Sequence, residues 1–205
     1  KPLAATLIMM EVSTLQPMPA TIGETIGADR PARPEELAQL FTDFRAVGAS
    51  FGVSLIRVGG VSLEVATARE ERNYLDGRHP ELVRYTTDLE CDVRRRDFTI
   101  NALWYDPVDG EVCDCVGGID DLERGIVRTV GDAQRRFSED YLRMLRAVRF
   151  AARLRFELFP DTRRAIQALA PKAAELAGER ISAEVTRMLT GPDPARAVRM
   201  LFDTG

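Results

Sequence analysis

Arg94-Arg95-Arg96-Asp97-Phe98-Thr99-Ile100-Asn101 sets three guanidiniums and a carboxylate directly before an alternating apolar run, Phe98, Ile100, Ala102 and Trp104. Arginine does not lose its charge, and its planar fork suits phosphate or carboxylate oxygens. A carboxylate beside it can accept a hydrogen bond from a sugar hydroxyl. At the mouth of a strand, such a cluster reads as a nucleotide or nucleic-acid contact point. The same residues would also serve as a solvated charged turn, which is the common fate of surface charge runs. A second charged cluster downstream, Glu139 to Arg153, favours the first reading.

The chain of 205 residues allows one or two domains and a sizeable core. Its apolar and charged fractions, 45% and 29%, are those of an ordinary globular protein. With a net charge of −4, any phosphate site is a local patch in an acidic background. The basic residues are nearly all arginine, a bias that oriented oxygen contacts or a GC-rich genome would each produce. Cys91, Cys113 and Cys115 form no disulfide framework, and with a single histidine they lack zinc-site spacing. They predict free thiols in a reducing, cytoplasmic setting. No apolar run approaches the ~20 residues needed to span a bilayer. Lys1 to Met10 loosely resembles a signal peptide, but Glu11 and the lack of an Ala-x-Ala site count against one. A first residue other than methionine is expected of a piece of a longer chain.

Upstream of the opening stretch, residues 3–15 could be a strand or a short helix, and prolines and glycines then punctuate a loop-like segment. Pro34 to Phe41 reads as a short helix with proline in its first turn. Phe51–Val58 and Val61–Thr67 are β-type runs joined by Gly59-Gly60, a hairpin signal. Alternation puts Val61, Leu63 and Val65 on one face of the second run, and Ser62, Glu64 and Ala66 on the other. Glu64 is therefore a mid-strand carboxylate among small residues, either solvent-facing or a metal ligand or general base. Residues 69–85 are too polar and too broken by Gly and Pro to predict an element, and a connection of that length is functional or mobile. The only histidine, His79, lies there and is assigned no catalytic role.

Downstream, Asp106–Gly110 reads as a turn, Glu111–Val116 as a returning strand, and Gly117-Gly118 as a break before helical sequence. Ser138 is taken as the N-cap of one helix over Glu139–Leu154. At 100° per residue, Met144, Leu145, Val148, Ala151 and Ala152 share an apolar arc, with Glu139, Asp140, Arg143 and Arg146 opposite. Those charges could be salt bridges worth a few tenths of a kcal/mol each. They could equally be a row of fixed donors and acceptors matching the Watson–Crick edge of a base. Further helices are expected at about 161–171, 179–190 and 194–203.

Four motifs occur in order. They are Arg95-Arg96-Asp97-Phe98-Thr99-Ile100-Asn101-Ala102; Asp114-x-x-Gly117-Gly118-x-x-Asp121-Leu122; Arg136-Phe137-x-Glu139-Asp140-x-x-Arg143-x-x-Arg146-Ala147-x-Arg149-Phe150; and Glu179-Arg180-Ile181-x-x-Glu184. Together they resemble the bacterial tRNA nucleotidyltransferase / poly(A) polymerase family, the class II branch of the polymerase β-like nucleotidyltransferases, over about residues 32–205. The resemblance implies an α+β fold: a small mixed-sheet head over residues 1–136, atypical at its N-terminus, and an all-helical neck over 137–205. It implies transfer of CMP and AMP from CTP and ATP to an RNA 3′ end, tRNA first, with poly(A), A-adding and CC-adding activities open. By the same resemblance Glu64 is a catalytic metal carboxylate for Mg2+, and Arg96 and Asp97 contact ribose and phosphate. Glu139, Asp140 and Arg143, with Arg146, become the protein template for the base. Gly117 and Gly118 become a hinge, Glu179, Arg180 and Glu184 the support of the templating helix, and Asp76 to Pro80, with Arg78, a flexible loop.

One departure stands out. The family carries a glycine-rich phosphate loop and Asp-x-Asp before the Pro34 helix, yet residues 1–30 hold only Asp29 as an aspartate. Two-metal phosphoryl transfer needs those carboxylates. The alternatives are a rearranged, deleted or incompletely recorded enzyme, or a relative that binds nucleotide or RNA without transferring it.

Overall fold

The computed structural model describes residues 6–9, 34–48, 53–58, 61–67, 69–74, 80–85, 88–106 and 110–205. The fold is α+β. These residues fall into two compact units, one within Lys1–Arg72, Glu81–Asp92 and Trp104–Cys113, the other within Asn73–Pro80, Val93–Leu103 and Asp114–Gly205.

In the first unit, strands β1 (Thr6–Met9), β2 (Phe44–Gly48), β3 (Val53–Val58) and β4 (Val61–Thr67) form an antiparallel sheet in the order β1-β4-β3-β2. Residues 3–15 thus contribute a strand. Val58 pairs with Val61 as the hairpin expectation requires, while Gly59 and Gly60 lie outside the described residues. Alternation buries Ser54 and Ile56 on β3 and Val65 on β4, with Ser62 exposed. Helix α1 (Pro34–Leu40) adds the buried Leu37.

The polar stretch 69–85 corrects the expectation of a structureless connection, because β5 (Arg69–Tyr74) pairs with β6 (Pro80–Tyr85). The backbone ladder pairs here without the apolar alternation that marks a half-buried strand, and Pro80 takes the first strand position, where no ladder donor is needed. Asp76, Arg78 and His79 lie outside the described residues. Helix α2 (Leu89–Arg94) leads into the arginine cluster. Strands β7 (Trp104–Asp106) and β8 (Glu111–Cys113) pair antiparallel, and β8 ends before Val116 because Asp114 turns the chain.

The run Phe98–Ala102 is not a strand. Phe98 makes a single bridge to Thr129, and Thr99–Asn101 is a 3-10 turn. Asp97 accepts from the Phe98 N–H, and the Thr99 hydroxyl donates to buried Asp121, local bonds that compete with a ladder. The alternating apolar residues Phe98, Ile100 and Ala102 are nonetheless all buried.

The second unit is helical: α3 (Gly118–Arg124), α4 (Ala133–Glu139), α5 (Leu142–Leu154), α6 (Pro160–Leu169), α7 (Gly178–Leu189) and α8 (Pro194–Thr204), with a 3-10 segment Ala170–Glu175. Strands β9 (Ile126–Val127) and β10 (Glu157–Leu158) pair in parallel. The apolar arc of α5 is the centre of the core: Met144, Ala147, Val148, Ala151 and Ala152 pack with Phe98, Phe137, Ile166, Met188 and Met200. Fully buried aromatics such as Phe98 and Phe137 each contribute about 1.5–3 kcal/mol. Among the described residues no helix is long and apolar enough to cross a membrane.

The single helix expected from Ser138 is two. Asp132 caps α4, its carboxylate accepting from Arg135 N at 2.8 Å, so the helix begins upstream of Ser138. Ser138 lies inside it and donates to Gln134 O at 2.8 Å. Asp140 is extended (φ −159°, ψ 106°) and breaks the path, while its carboxylate accepts from Leu142 N at 3.0 Å and starts α5.

Candidate nucleotide-reading site

Asp97 sits where the arginine cluster enters the helical unit, with its side chain only 10% exposed. Its Oδ1 accepts from Phe98 N (2.9 Å) and Asn101 Nδ2 (3.1 Å). Its Oδ2 accepts from Arg146 Nε (2.8 Å) and is ion-paired with the same guanidinium, NH2 lying at 2.6 Å. Arg96 donates through NH1 to Asn101 O at 3.3 Å. Burial pushes the Asp97 carboxyl up, but the Arg146 charge and the hydrogen bonds from Asn101, Arg146 and Phe98 outweigh it and hold the pKa below its ordinary value. Burial likewise opposes, and Asp97 more than restores, the charge of Arg146, whose pKa is raised.

Asp114 has the same direction for a different reason. Its slight burial raises the pKa, and backbone N–H groups of Ile119, Val116, Gly118 and Gly117 lower it further than burial lifts it. Folding thus keeps protons off both carboxyls, so the unfolded chain binds more protons in acid and stability rises with pH there. The contribution is complete above the ordinary carboxyl range, about pH 4–5, and is lost as pH falls through the lowered folded values. Denaturation midpoints measured from pH 7 downward are expected to hold to about pH 5 and then fall. The fall should be shallower in Asp97→Asn, and an equal slope in that variant would remove Asp97 from the account.

The break between α4 and α5 presents Glu139, Asp140 and Arg143 together. Glu139 Oε2 accepts from Arg136 NH1 and Arg143 NH1, both at 2.7 Å. Arg143 NH1 also donates to Arg136 O at 3.0 Å. Asp140 Oδ2 accepts from Arg180 NH2 at 2.8 Å, reaching from the first turn of α7. Asp140 thus stands in the break itself and Arg143 in the first turn of α5, not on one helix face, and each is held by its own partner. A backbone bond, Arg143 N to Asp140 O at 3.0 Å, keeps them adjacent.

Glu184, on α7, is buried between Arg149 Nε (2.6 Å) and Arg187 NH1 (2.8 Å). The Arg149 and Arg146 guanidiniums lie 4.2 and 5.5 Å from the Phe150 ring centroid, and Phe150 meets Phe98 edge-on at 5.8 Å. Charged and aromatic contacts therefore run unbroken from Asp97 to Glu184. Glu179 is exposed at the start of α7, outside this chain of contacts.

Arg149 was not among the expected site residues, yet it was detectable. It follows Leu145 by four positions and precedes Ala152 by three, so it lies on the apolar arc itself. A charge there requires a buried partner. Asp121 was a second omission: it is 1% exposed, accepts from Thr99 Oγ1 at 2.7 Å, and takes both Nε and NH2 of Arg128.

Glu64 lies on β4 opposite Met9 and Leu55 in the sheet register, and its side chain is outside the described residues. Among the described residues no group of three His, Cys, Asp or Glu could hold a metal ion. Gly117 (φ 79°) and Gly118 open α3 under the Asp114 carboxylate.

Residues 25–128 match the family model "Poly A polymerase head domain", and residues 155–205 match "Probable RNA and SrmB- binding site of polymerase A". The CCA-adding enzyme of Oceanobacillus iheyensis is 42% identical over 172 residues, which are 84% of this chain and 43% of that protein. That of Geobacillus stearothermophilus is 42% identical over 174 residues, 85% and 43% of the two chains. The chain spans about two fifths of the length of these curated relatives. A crystal structure of the Bacillus stearothermophilus CCA-adding enzyme in complex with CTP superposes with a TM-score of 0.75 at 40% identity, covering 83% of this chain and 41% of that one. The Thermotoga maritima CCA-adding enzyme complexed with tRNA gives a TM-score of 0.66 at 25% identity, covering 83% and 38%. With the four ordered motifs in place, the head model matched over residues 25–128 and a relative 42% identical across 84% of its length, the chain belongs to the tRNA nucleotidyltransferase / poly(A) polymerase family.

Proposed function

We propose that this chain supplies the nucleotide-reading part of a template-independent RNA nucleotidyltransferase that adds CMP and AMP to the 3′ end of tRNA. The carrying observation is the α4–α5 break, where an aspartate anchored by Arg180 adjoins an arginine anchored by Glu139. Cytosine and adenine each present an amino donor beside a ring-nitrogen acceptor on the Watson–Crick edge. A carboxylate and a guanidinium match that order, and guanine and uracil present the reverse. Arg96 and Asp97 are assigned the phosphate and ribose contacts. The Asp97 carboxylate already accepts three hydrogen bonds and is ion-paired with Arg146, so a ribose hydroxyl binding there competes with those partners.

In this reading residues 1–136 serve as head and 137–205 as neck, with Gly117 and Gly118 as the hinge and Glu179, Arg180 and Glu184 bracing the template. Three free cysteines favour a cytoplasmic setting. Mg2+ is the cofactor such transfer calls for, but the described residues supply no cluster for it, and one mid-strand glutamate is a poor magnesium site. The missing Asp-x-Asp favours a second reading: a nucleotide-binding relative that transfers little. Extension of a tRNA lacking its CCA end separates the two.

The template is tested by binding of the four ribonucleoside triphosphates to the unaltered chain and to Arg143→Ala. Preference for ATP and CTP over GTP and UTP should shrink by about 1–3 kcal/mol in the variant, more than triphosphate affinity itself. An unchanged preference would return Glu139, Asp140 and Arg143 to the role of salt bridges.

A further inference from the structure

Beside α4 lies a cavity of about 400 Å³ that the reading site does not use, lined by Arg128, Thr129, Asp132, Gln134, Phe159 and Arg164. That volume is within the range of small-ligand sites. One wall is a locked plane. The Arg128 guanidinium lies 3.6 Å from the Phe159 ring centroid, so one of its faces is covered. Its Nε and NH2 edge is held by Asp121, at 3.0 Å and 2.9 Å. The side chain nevertheless remains 32% exposed. With one face on a ring and one edge on a carboxylate, the exposed remainder of Arg128 lines the cavity.

Charge decides what could lie against that remainder. Arg128 is neutralised by Asp121, and Arg164 is paired with Asp161. Asp132 adds a carboxylate that caps α4. The lining therefore carries no surplus of positive charge for a phosphate. It does offer a flat cationic plane for stacking, and the exposed Gln134 amide, donor and acceptor at once, for the edge of a ring. We propose that this cavity seats one base of single-stranded RNA, stacked on the exposed remainder of Arg128. The proposal rests on the reading of the chain as part of an RNA-adding enzyme. Helix α4 runs from this cavity to Glu139, and its seven residues span about 10 Å. Roughly three stacked nucleotides cover that distance, so a primer with its end near the reading residues could place an earlier base here.

The test uses the full chain and a fluorescein-labelled single-stranded RNA of about eight nucleotides, compared with the same RNA made abasic. Anisotropy is expected to show intact RNA bound at least about fivefold more tightly than abasic RNA, the effect of one stacked base. Arg128→Lys, which keeps the charge and removes the plane, should bring that ratio towards one, and Gln134→Ala should lower it. ATP and CTP affinity should be the same in all three proteins. Equal binding of intact and abasic RNA, which a phosphate seat would give, overturns the proposal, as does a ratio that survives Arg128→Lys. Should that variant not fold, an unchanged ratio in exposed Gln134→Ala overturns it. Failure of the unaltered chain to bind ATP or CTP would instead sink the template reading and leave the RNA arms to judge the seat.

Discussion

Glu184→Ala is expected to destabilise the helical unit by about 3–5 kcal/mol, the cost of leaving a buried charge without its partner. Arg149 loses the carboxylate at 2.6 Å while remaining 9% exposed, and water cannot replace it. Arg187 loses a partner too, but at 61% exposure that pair contributes little. The cost is thus one of desolvated charge, and removing both partners should recover most of it: Arg149→Met with Glu184→Leu is expected to be near neutral. Denaturant unfolding of the single and double variants checks this, read on the transition of the helical unit. A double variant no more stable than Glu184→Ala would mean that packing, and not the orphaned guanidinium, sets the loss.

Gly118→Ala comes next in size. A Cβ there would stand 2.3 Å from Thr99 O and 2.9 Å from Thr99 C, backbone atoms that cannot swing aside. The Thr99 carbonyl is itself fixed by the Ala102 N–H, and the Thr99 hydroxyl by Asp121. Making room therefore pulls on the Asp121–Arg128 pair, and a loss at or above the ~1–3 kcal/mol of ordinary overpacking is expected. Gly117 is the control. Its φ of 79° penalises a side chain by about 1–2 kcal/mol, but no atom lies within 4 Å of its Cβ position. Thermal melts should rank Gly118→Ala below Gly117→Ala, and the reverse order would place the strain in the turn instead of the contact.

The sequence was most legible where periodicity and burial agree. The apolar arc of α5 emerged from spacing, because the helix has one obligatory buried face, and the β3–β4 pairing from two β-type runs joined by Gly59-Gly60. Legibility failed where a side chain competes with the backbone. Ser138 has the right residue type for a cap, but the cap that forms is Asp132, through its bond from Arg135 N, and Ser138 falls inside the helix. Asp140 ends one helix and starts the next, which a helical wheel drawn through it cannot register. The β5–β6 ribbon was missed because it lacks the alternation that announces a strand. For the site, residue types were recoverable from the motifs, but their partners were not. Nothing in the spacing said that Asp97 would be filled by Arg146, or that Asp140 would turn to Arg180, since both partners come from distant helices.

The joint at Asp140 bears on how selectivity could drift among relatives. Were Asp140 and Arg143 on one unbroken helix, their offset would be a constant of backbone geometry, alterable only by replacing the pair. Across the joint, the backbone bond from Arg143 N to Asp140 O sets the two residues side by side, and their side chains are steered by separate fasteners, Arg180 on one and Glu139 on the other. On the proposed reading, a substitution at a fastener shifts the spacing while Asp140 and Arg143, the groups assigned to the base, keep their identity. Enzymes that share the same pair could in this way come to accept different nucleotides, with the heritable change lying at a neighbouring position that never touches the base.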